Sequence, residues 1–79
     1  MPKVKRRPDK FDRMRVLLMG QRELLGMSYE ELGTKVGSAT GTVHNRLHHP
    51  ENMTVGELCR FARALEIPAD DFRAAIPMY

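Results

Sequence analysis

Residues 28–47 read SYEELGTKVGSATGTVHNRL and are the most informative part of this 79-residue chain. Ser28 and Glu31 have the spacing of a capping box, in which a hydroxyl and a carboxylate each pair with an otherwise free backbone N–H at a helix N-terminus. Gly37 is of the residue type that most often ends a helix. The pattern therefore predicts a short helix that begins at Ser28 and ends at Gly37.

A second short helix is predicted to follow almost at once, at about residues 39–48. Each of the two helices has apolar residues four positions apart, Leu32 and Val36 in the first and Val43 and Leu47 in the second, which marks the inward side. The turn between the helices is too tight for them to run antiparallel, so they are expected to cross at a steep angle. One side of the second helix then remains exposed, and the pair has the form of a helix-turn-helix.

The exposed side of the second helix is expected to carry Thr40, Gly41, His44 and Asn45. Asn45 can donate and accept at once, which suits the N6 and N7 edge of adenine, and Thr40 offers a hydroxyl or a methyl group to thymine. His44 can donate to guanine or to a phosphate. Gly41 either lets the backbone approach the groove floor closely or is simply tolerated in a short helix. These residue types predict base reading in the major groove of DNA.

The sequence before residue 28 predicts one longer helix, at about residues 9–25. Its apolar residues recur at helical spacing, and Gly26 is placed to end it. The residues expected to face inward are Met14, Leu17, Leu18, Leu24 and Leu25.

Two more helices are predicted after a loop at residues 48–53. Thr54 and Glu57 form a second capping box, which opens a helix that Ile67 and Pro68 break. Cys59 is expected to be a small core residue of this helix. The apolar residues expected in its core stripe are Val55, Leu58, Phe61, Ala62 and Leu65. A last helix at about residues 69–76 is expected to bury Phe72 and Ile76.

Composition limits what else the chain contains. A hydrophobic content of 42% with 29% charged residues is typical of a folded globule, and 79 residues suffice for one domain without a separate catalytic domain. A single cysteine suits a reducing compartment, and the absence of a long apolar run argues against a membrane span. We therefore expect a cytoplasmic protein with no cofactor and no small-molecule substrate. No grouping of nucleophile, base and orienting residue suggests an enzyme.

Positive charge is concentrated at the N-terminus. The net charge is +3, and four cations precede Pro8, which leaves −1 for the rest (3 − 4). Residues 1–8 are expected to form a flexible basic arm and residues 9–79 the domain. The arm either lies along a phosphate backbone or in a minor groove, or it is a solvated terminus that aids solubility. Its cations are Lys3, Lys5, Arg6 and Arg7.

Several of these features together resemble the Cro/CI-type (XRE) helix-turn-helix regulators of phages and bacteria, over about residues 18–76. The pattern E-L-x-x-x-A-x-A-L-x-I at residues 57–67 is one match. The others are Arg22 before Gly26, the opening Ser28, Glu31 and Leu32, the turn glycine Gly37, and Val43 six residues later.

The chain also departs from this family's usual pattern. Tyr29 stands where glutamine is usual, and Ser38 stands where valine or isoleucine normally packs. Ala39 replaces a capping serine, so the cap of the second helix is expected to shift to Ser38. Gln21 and Arg46 occupy positions that are more often apolar, and Arg46 is expected to extend toward a phosphate.

The resemblance implies an all-α, five-helix domain like that of lambda repressor, in which the second helix of the helix-turn-helix enters the major groove. Thr40, Gly41, His44 and Asn45 would contact bases. Backbone amides at two helix N-termini would add phosphate contacts. The side chains that would contact phosphates are Arg22, Tyr29, Thr42 and Arg46.

A dimer is expected because a single helix-turn-helix reads only a short half-site. The proposed dimer surface consists of Phe72, Ile76, Met78 and Tyr79, and the alternative is that these residues only close a small core. The function implied is a transcriptional repressor on a palindromic operator. The alternative is a protein-binding module of a phage or mobile element, such as an inhibitor of a host enzyme or an antitoxin.

A metal site is not expected. His44 and His48 lie four residues apart, which is a legitimate ligand spacing, and Cys59 adds a thiol. None of the usual cysteine and histidine spacings of a zinc site is present, however, and no fourth ligand is evident.

Overall fold

The computed structural model describes residues 10–77, which form helices and, within this range, no strand. A 3-10 turn, Pro50–Asn52, lies in the expected loop. The five α-helices are α1 (Asp12–Leu25), α2 (Tyr29–Val36), α3 (Thr40–His48), α4 (Val55–Ala64) and α5 (Ala69–Ala75). The all-α, five-helix prediction is confirmed.

Both predicted capping boxes are formed. At the start of α2, the Glu31 N–H donates to the Ser28 hydroxyl at 3.0 Å and the Ser28 N–H donates to the Glu31 carboxylate at 3.2 Å. The same pair of bonds joins Thr54 and Glu57 at the start of α4, at 3.0 and 2.9 Å. Each cap stabilises the folded protein by about 0.5–2 kcal/mol. Because each box joins residues only three positions apart, these helix starts were predictable from the sequence.

Two helices, α1 and α2, end on a residue in the left-handed region. Gly26 (φ 65°) follows α1 and Gly37 (φ 74°) follows α2, as expected of glycine, which has no Cβ to clash there. The end of α4 differs from the prediction, because the helix stops at Ala64 rather than at Ile67 and Pro68. Glu66 turns the chain at φ 57°, and the Ile67 N–H bonds back to a carbonyl inside α4.

The core lies where all five helices meet. Leu32, Val36, Val43 and Leu47 are buried, so the inward sides of α2 and α3 are confirmed. The inward stripe of α4 is confirmed from its second turn onward. The other buried apolar residues are Met14, Leu18, Met27, Met53, Leu58, Phe61, Ala62, Leu65, Ile67 and Ala75, with Leu17 and Phe72 partly buried against them.

The prediction for the second half of α1 was wrong. Leu24 is 77% exposed and Leu25 is also exposed. The inward row runs instead from Met14 through Leu18 to Arg22, each one turn beyond the last, and Arg22 is only 18% exposed. Because a half-buried arginine takes the next inward position, the two leucines are turned toward solvent.

Three other core predictions were also wrong, because of where the residues lie on their helices. Val55 is 76% exposed because it is the first residue of α4, outside the stripe that begins at Leu58. Cys59 is exposed because it lies one position beyond Leu58 and is therefore rotated about 100° from it. Ile76 follows the end of α5 and is 38% exposed, while Ala75 fills the core.

Candidate nucleic-acid interface

The outward side of α3 brings together the four residues expected to read bases. Thr40, Gly41, His44 and Asn45 are exposed. On the opposite side of the same helix, Val43 and Leu47 are fully buried. The apolar side therefore holds α3 against the core, and the polar side is exposed along the helix, where a ligand with a groove of matching width can bind it.

Gly33, to which the sequence assigned no role, determines how closely α3 packs against α2. Gly33 is buried, and a Cβ atom on it would lie 2.6 Å from the Ser38 carbonyl oxygen and 3.4 Å from a Val43 methyl group. The Ser38 N–H also donates to the Gly33 carbonyl oxygen at 2.9 Å. The sequence feature that indicates this contact is that Gly33 directly follows the inward-facing Leu32, where any side chain would contact the turn and α3.

The N-terminus of α3 has no side-chain cap. The helix begins at Thr40, its N-cap residue is Ala39, and its first turn contains no acidic residue. The predicted shift of the cap to Ser38 was wrong. At α2, in contrast, Ser28 and Glu31 already bind the terminal N–H groups. The amides of the first turn of α3 are therefore the better placed of the two to bind an anion.

A row of rings crosses from α2 to α3. The rings of Tyr29 and His44 meet edge to face with centroids 5.1 Å apart, and the rings of His44 and His48 are 4.3 Å apart. The Arg22 guanidinium also lies over the Tyr29 ring, 4.4 Å from its centroid. The row holds the imidazole of His44 beside the tyrosine instead of leaving it free to rotate. The spacing of His44 and His48 was evident from the sequence, whereas the contacts of Tyr29 with His44 and Arg22 were not, because contacts between helices depend on packing.

Arg22 also joins the end of α1 to the start of α2. One terminal nitrogen donates to the Met27 carbonyl oxygen at 2.7 Å, and the other lies 4.0 Å from the Glu23 carboxylate. Its Nε is buried and has no hydrogen-bond partner in the structure. Arg22, predicted to contact phosphate, thus has a structural role in the folded chain and one terminal nitrogen that is only weakly engaged.

Arg46 is paired inside the protein. Its Nε donates to the Glu57 carboxylate at 3.2 Å, so the arginine expected to extend toward a phosphate links α3 to the start of α4. The hydrogen bond from the Thr54 backbone N–H and the neighbouring Arg46 hold the pKa of Glu57 below its ordinary value of 4.5, although desolvation acts in the opposite direction. Thr42, also predicted to contact phosphate, is half-buried.

A second arginine fixes the other end of α3. The Arg15 Nε donates to the His48 carbonyl oxygen at 2.9 Å, and the Arg15 guanidinium also pairs with Asp12 and lies 3.6 Å from Glu51. The His49 ring lies 3.3 Å from the same Glu51 carboxylate. Arg15 was not singled out in the sequence, because the partners that tie it to α3 and the following turn, His48 and Glu51, lie more than thirty positions away, and only Asp12 is close in the chain.

The remaining predicted site residues are only partly described. Phe72 is half-buried and Ile76 is exposed, so one of them can serve the core while the other faces outward. Met78 and Tyr79 lie outside the described residues, as does the whole basic arm with Lys3, Lys5, Arg6 and Arg7. Among residues 10–77, no three histidine, cysteine or acidic side chains cluster as metal ligands would.

Comparisons with known proteins supply no relative. No protein-family model, no curated protein and no solved structure matches the chain significantly. Within residues 10–77, no helix has the length and apolar character needed to cross a membrane. The resemblance to the Cro/CI-type regulators therefore remains a prediction.

Proposed function

We propose that this protein binds DNA in a sequence-specific manner and regulates transcription, as a repressor that occludes a promoter. The observation that carries the proposal is the two-sided character of α3. Its apolar side is fully buried, and its polar side presents Thr40, Gly41, His44 and Asn45 to solvent. A helix held in this way, with its polar side uncovered, fits the width of the major groove.

Base recognition is assigned to the exposed side of α3. Asn45 pairs with the N6 and N7 edge of adenine, and Thr40 contacts a thymine methyl or accepts from a base edge. Gly41 has no neighbour within 4 Å of the position that a Cβ would take, so the backbone can approach the groove closely there. His44 enters the groove supported by Tyr29, which limits the side-chain entropy lost on binding.

Phosphate contacts are assigned to the residues around α3. The uncapped amides of the first turn of α3 suit one phosphate. Arg22 and Tyr29 border the reading helix, Thr42 lies on it, and Arg46 would exchange its carboxylate partner for a phosphate when DNA binds. Because Glu57 neutralises Arg46 in the free protein, this contact adds less affinity than an unpaired arginine would.

The binding unit is proposed to be a homodimer, since one reading helix covers only a short half-site and two copies reach the usual affinity of a regulator. The basic arm, through Lys3, Lys5, Arg6 and Arg7, is proposed to add contacts that do not depend on base sequence.

Selection of preferred sequences from a random duplex library, followed by titration of the selected site, tests the proposal. We expect a recurring motif, and we expect Asn45→Ala to cost about 1–3 kcal/mol at one base position while other positions keep their preference. Thr40→Ala is expected to relax a neighbouring position.

Thr34→Ala is the matched control for Thr40→Ala. Thr34 is an exposed threonine of α2 whose hydroxyl donates to the Glu30 carbonyl within its own helix. Its loss should leave sequence preference unchanged. Equal affinity for all duplexes, with a stoichiometric protein partner recovered instead, would reject the regulator and favour the protein-binding module.

A further inference from the structure

The side of α1 that faces away from the core has an unusual composition. Five exposed residues share it, at spacings of three, four and seven positions around Gly20. Val16 and Leu24 lie one turn on either side of Gly20 and are 72% and 77% exposed. We call this set the outer α1 face: Arg13, Val16, Gly20, Glu23 and Leu24.

The outer α1 face is apolar at its centre. Single exposed aliphatic residues are common, but here two of the most exposed ones in the described chain flank the same glycine. Nothing lies within 4 Å of the position that a Cβ of Gly20 would take, so the backbone is uncovered between two aliphatic side chains. Another helix can approach closely at this saddle.

The face is complementary to itself when two copies run antiparallel. With Gly20 opposite Gly20, Val16 of each copy lies at the level of Leu24 of the other, and the contact occurs twice by symmetry. A parallel arrangement would instead place Arg13 against Arg13 and Glu23 against Glu23, which is repulsive.

The charges on the face favour the same arrangement. In the antiparallel pair, Arg13 of one copy and Glu23 of the other are four positions, or about 6 Å along the helix axis, out of register, which an arginine side chain can span. Arg13 has no ion-pair partner among residues 10–77, although Asp71 lines the same shallow depression. Glu23 lies only at the 4.0 Å limit from Arg22. Both charges are therefore available to a second copy.

We propose that the outer α1 face is the surface through which two copies of this chain associate, as an antiparallel pair of α1 helices that cross at Gly20. The proposal rests on the surface alone and does not depend on DNA binding. It differs from the dimer surface expected on α5, where Phe72 is half-buried and Ile76 is half as exposed as Leu24.

Sedimentation equilibrium of the full chain without DNA tests this interface. We expect a reversible dimer that Val16→Asn and Leu24→Asn each weaken at least about tenfold, because each change removes an apolar contact at two symmetric places. Val55→Asn is the matched control, since Val55 is as exposed as Leu24 but lies on α4. Circular dichroism verifies that every variant is folded.

Further variants separate this interface from a general loss of apolar surface. Gly20→Gln fills the saddle with a good helix former, so we expect weaker association together with an equal or higher unfolding temperature of the monomer. Arg13→Glu should weaken the dimer, and the double change Arg13→Glu with Glu23→Arg should restore it. A chain that stays monomeric, or a dimer that Ile76→Asn dissociates while Leu24→Asn leaves it intact, would overturn the proposal.

Discussion

The Cβ atom that Gly33 lacks would lie 2.6 Å from the backbone oxygen of Ser38, closer than a carbon and an oxygen can approach. Because this oxygen belongs to the turn between α2 and α3, it cannot move aside as the tip of a flexible side chain would. A single missing methyl group thus sets the distance between α2 and α3, and with it the angle at which the polar side of α3 is presented.

Gly33→Ala is expected to destabilise the protein by about 1–3 kcal/mol, because the new methyl group must displace the turn or the Val43 side chain. Urea unfolding followed by circular dichroism measures the change. Gly41→Ala is the matched control: Gly41 is also inside a helix, but its Cβ position is open, so alanine should stabilise by about 0.5–1 kcal/mol. If Gly33→Ala and Gly41→Ala both raised the stability of the protein, the close contact at Gly33 would be contradicted.

At the scale of elements, α4 is connected to α3 by one charged pair at its N-terminus. The Glu57 carboxylate accepts a hydrogen bond from the Thr54 N–H at 2.9 Å and another from the Arg46 Nε at 3.2 Å. The carboxylate therefore caps α4 and binds a side chain of the preceding helix, α3, at the same time. This is why its pKa is lowered although the side chain is largely covered.

The lowered pKa of Glu57 has a definite sign in a stability profile. Because the folded-state pKa lies below the ordinary value of 4.5, the ionised carboxylate stabilises the fold at higher pH, and this contribution is lost as pH falls through the lowered pKa. Glu57→Gln keeps an acceptor for the Thr54 N–H but removes the charge. We expect the difference in unfolding free energy between wild type and Glu57→Gln to shrink as the solution is acidified.

Urea unfolding at a series of pH values measures this difference. Arg46→Gln, which removes one partner of the carboxylate, should reduce the part of the difference that depends on pH. A difference that stays constant from neutral pH to about pH 3 would show that the charge of Glu57 contributes nothing.

At the scale of the whole molecule, positive charge and the reading helix are separated along the chain. Residues 1–8 carry four cations, and the rest of the chain has a net charge of −1 (3 − 4). In the proposed complex with DNA, the long-range attraction would therefore reside in residues 1–8, whereas the helical body would contribute shape and hydrogen-bonding groups.

Replacing Lys3, Lys5, Arg6 and Arg7 by alanine should weaken binding to all duplexes alike and reduce the dependence of log K on log salt by about three to four. Fluorescence anisotropy at several salt concentrations gives this slope. A control with the same loss of charge is the fourfold alanine change at Lys35, Arg60, Arg63 and Arg73, exposed cations of α2, α4 and α5. Equal slopes for the two variants would remove the arm from the proposed interface.

Local interactions were readable from the sequence alone. The capping boxes at Ser28 and Thr54 and the left-handed glycines Gly26 and Gly37 involve residues a few positions apart, so spacing and residue type determine them. The inward pairs of α2 and α3 were readable for the same reason, since a helix brings every fourth residue to one side. These features determined the five helices and the four residues on the outer side of α3.

Contacts between distant residues were decided by the tertiary structure. Which aliphatic side chains of α1 face solvent depends on Arg22 taking an inward position to reach Met27 and Tyr29. The carboxylate beside Arg46 and the ring beside His44 come from other helices, and no spacing within one helix indicates them. The sequence by itself determined the helices and their ends, because those depend on neighbours in the chain. Packing decided the partners of the interface residues, because those depend on how whole helices meet.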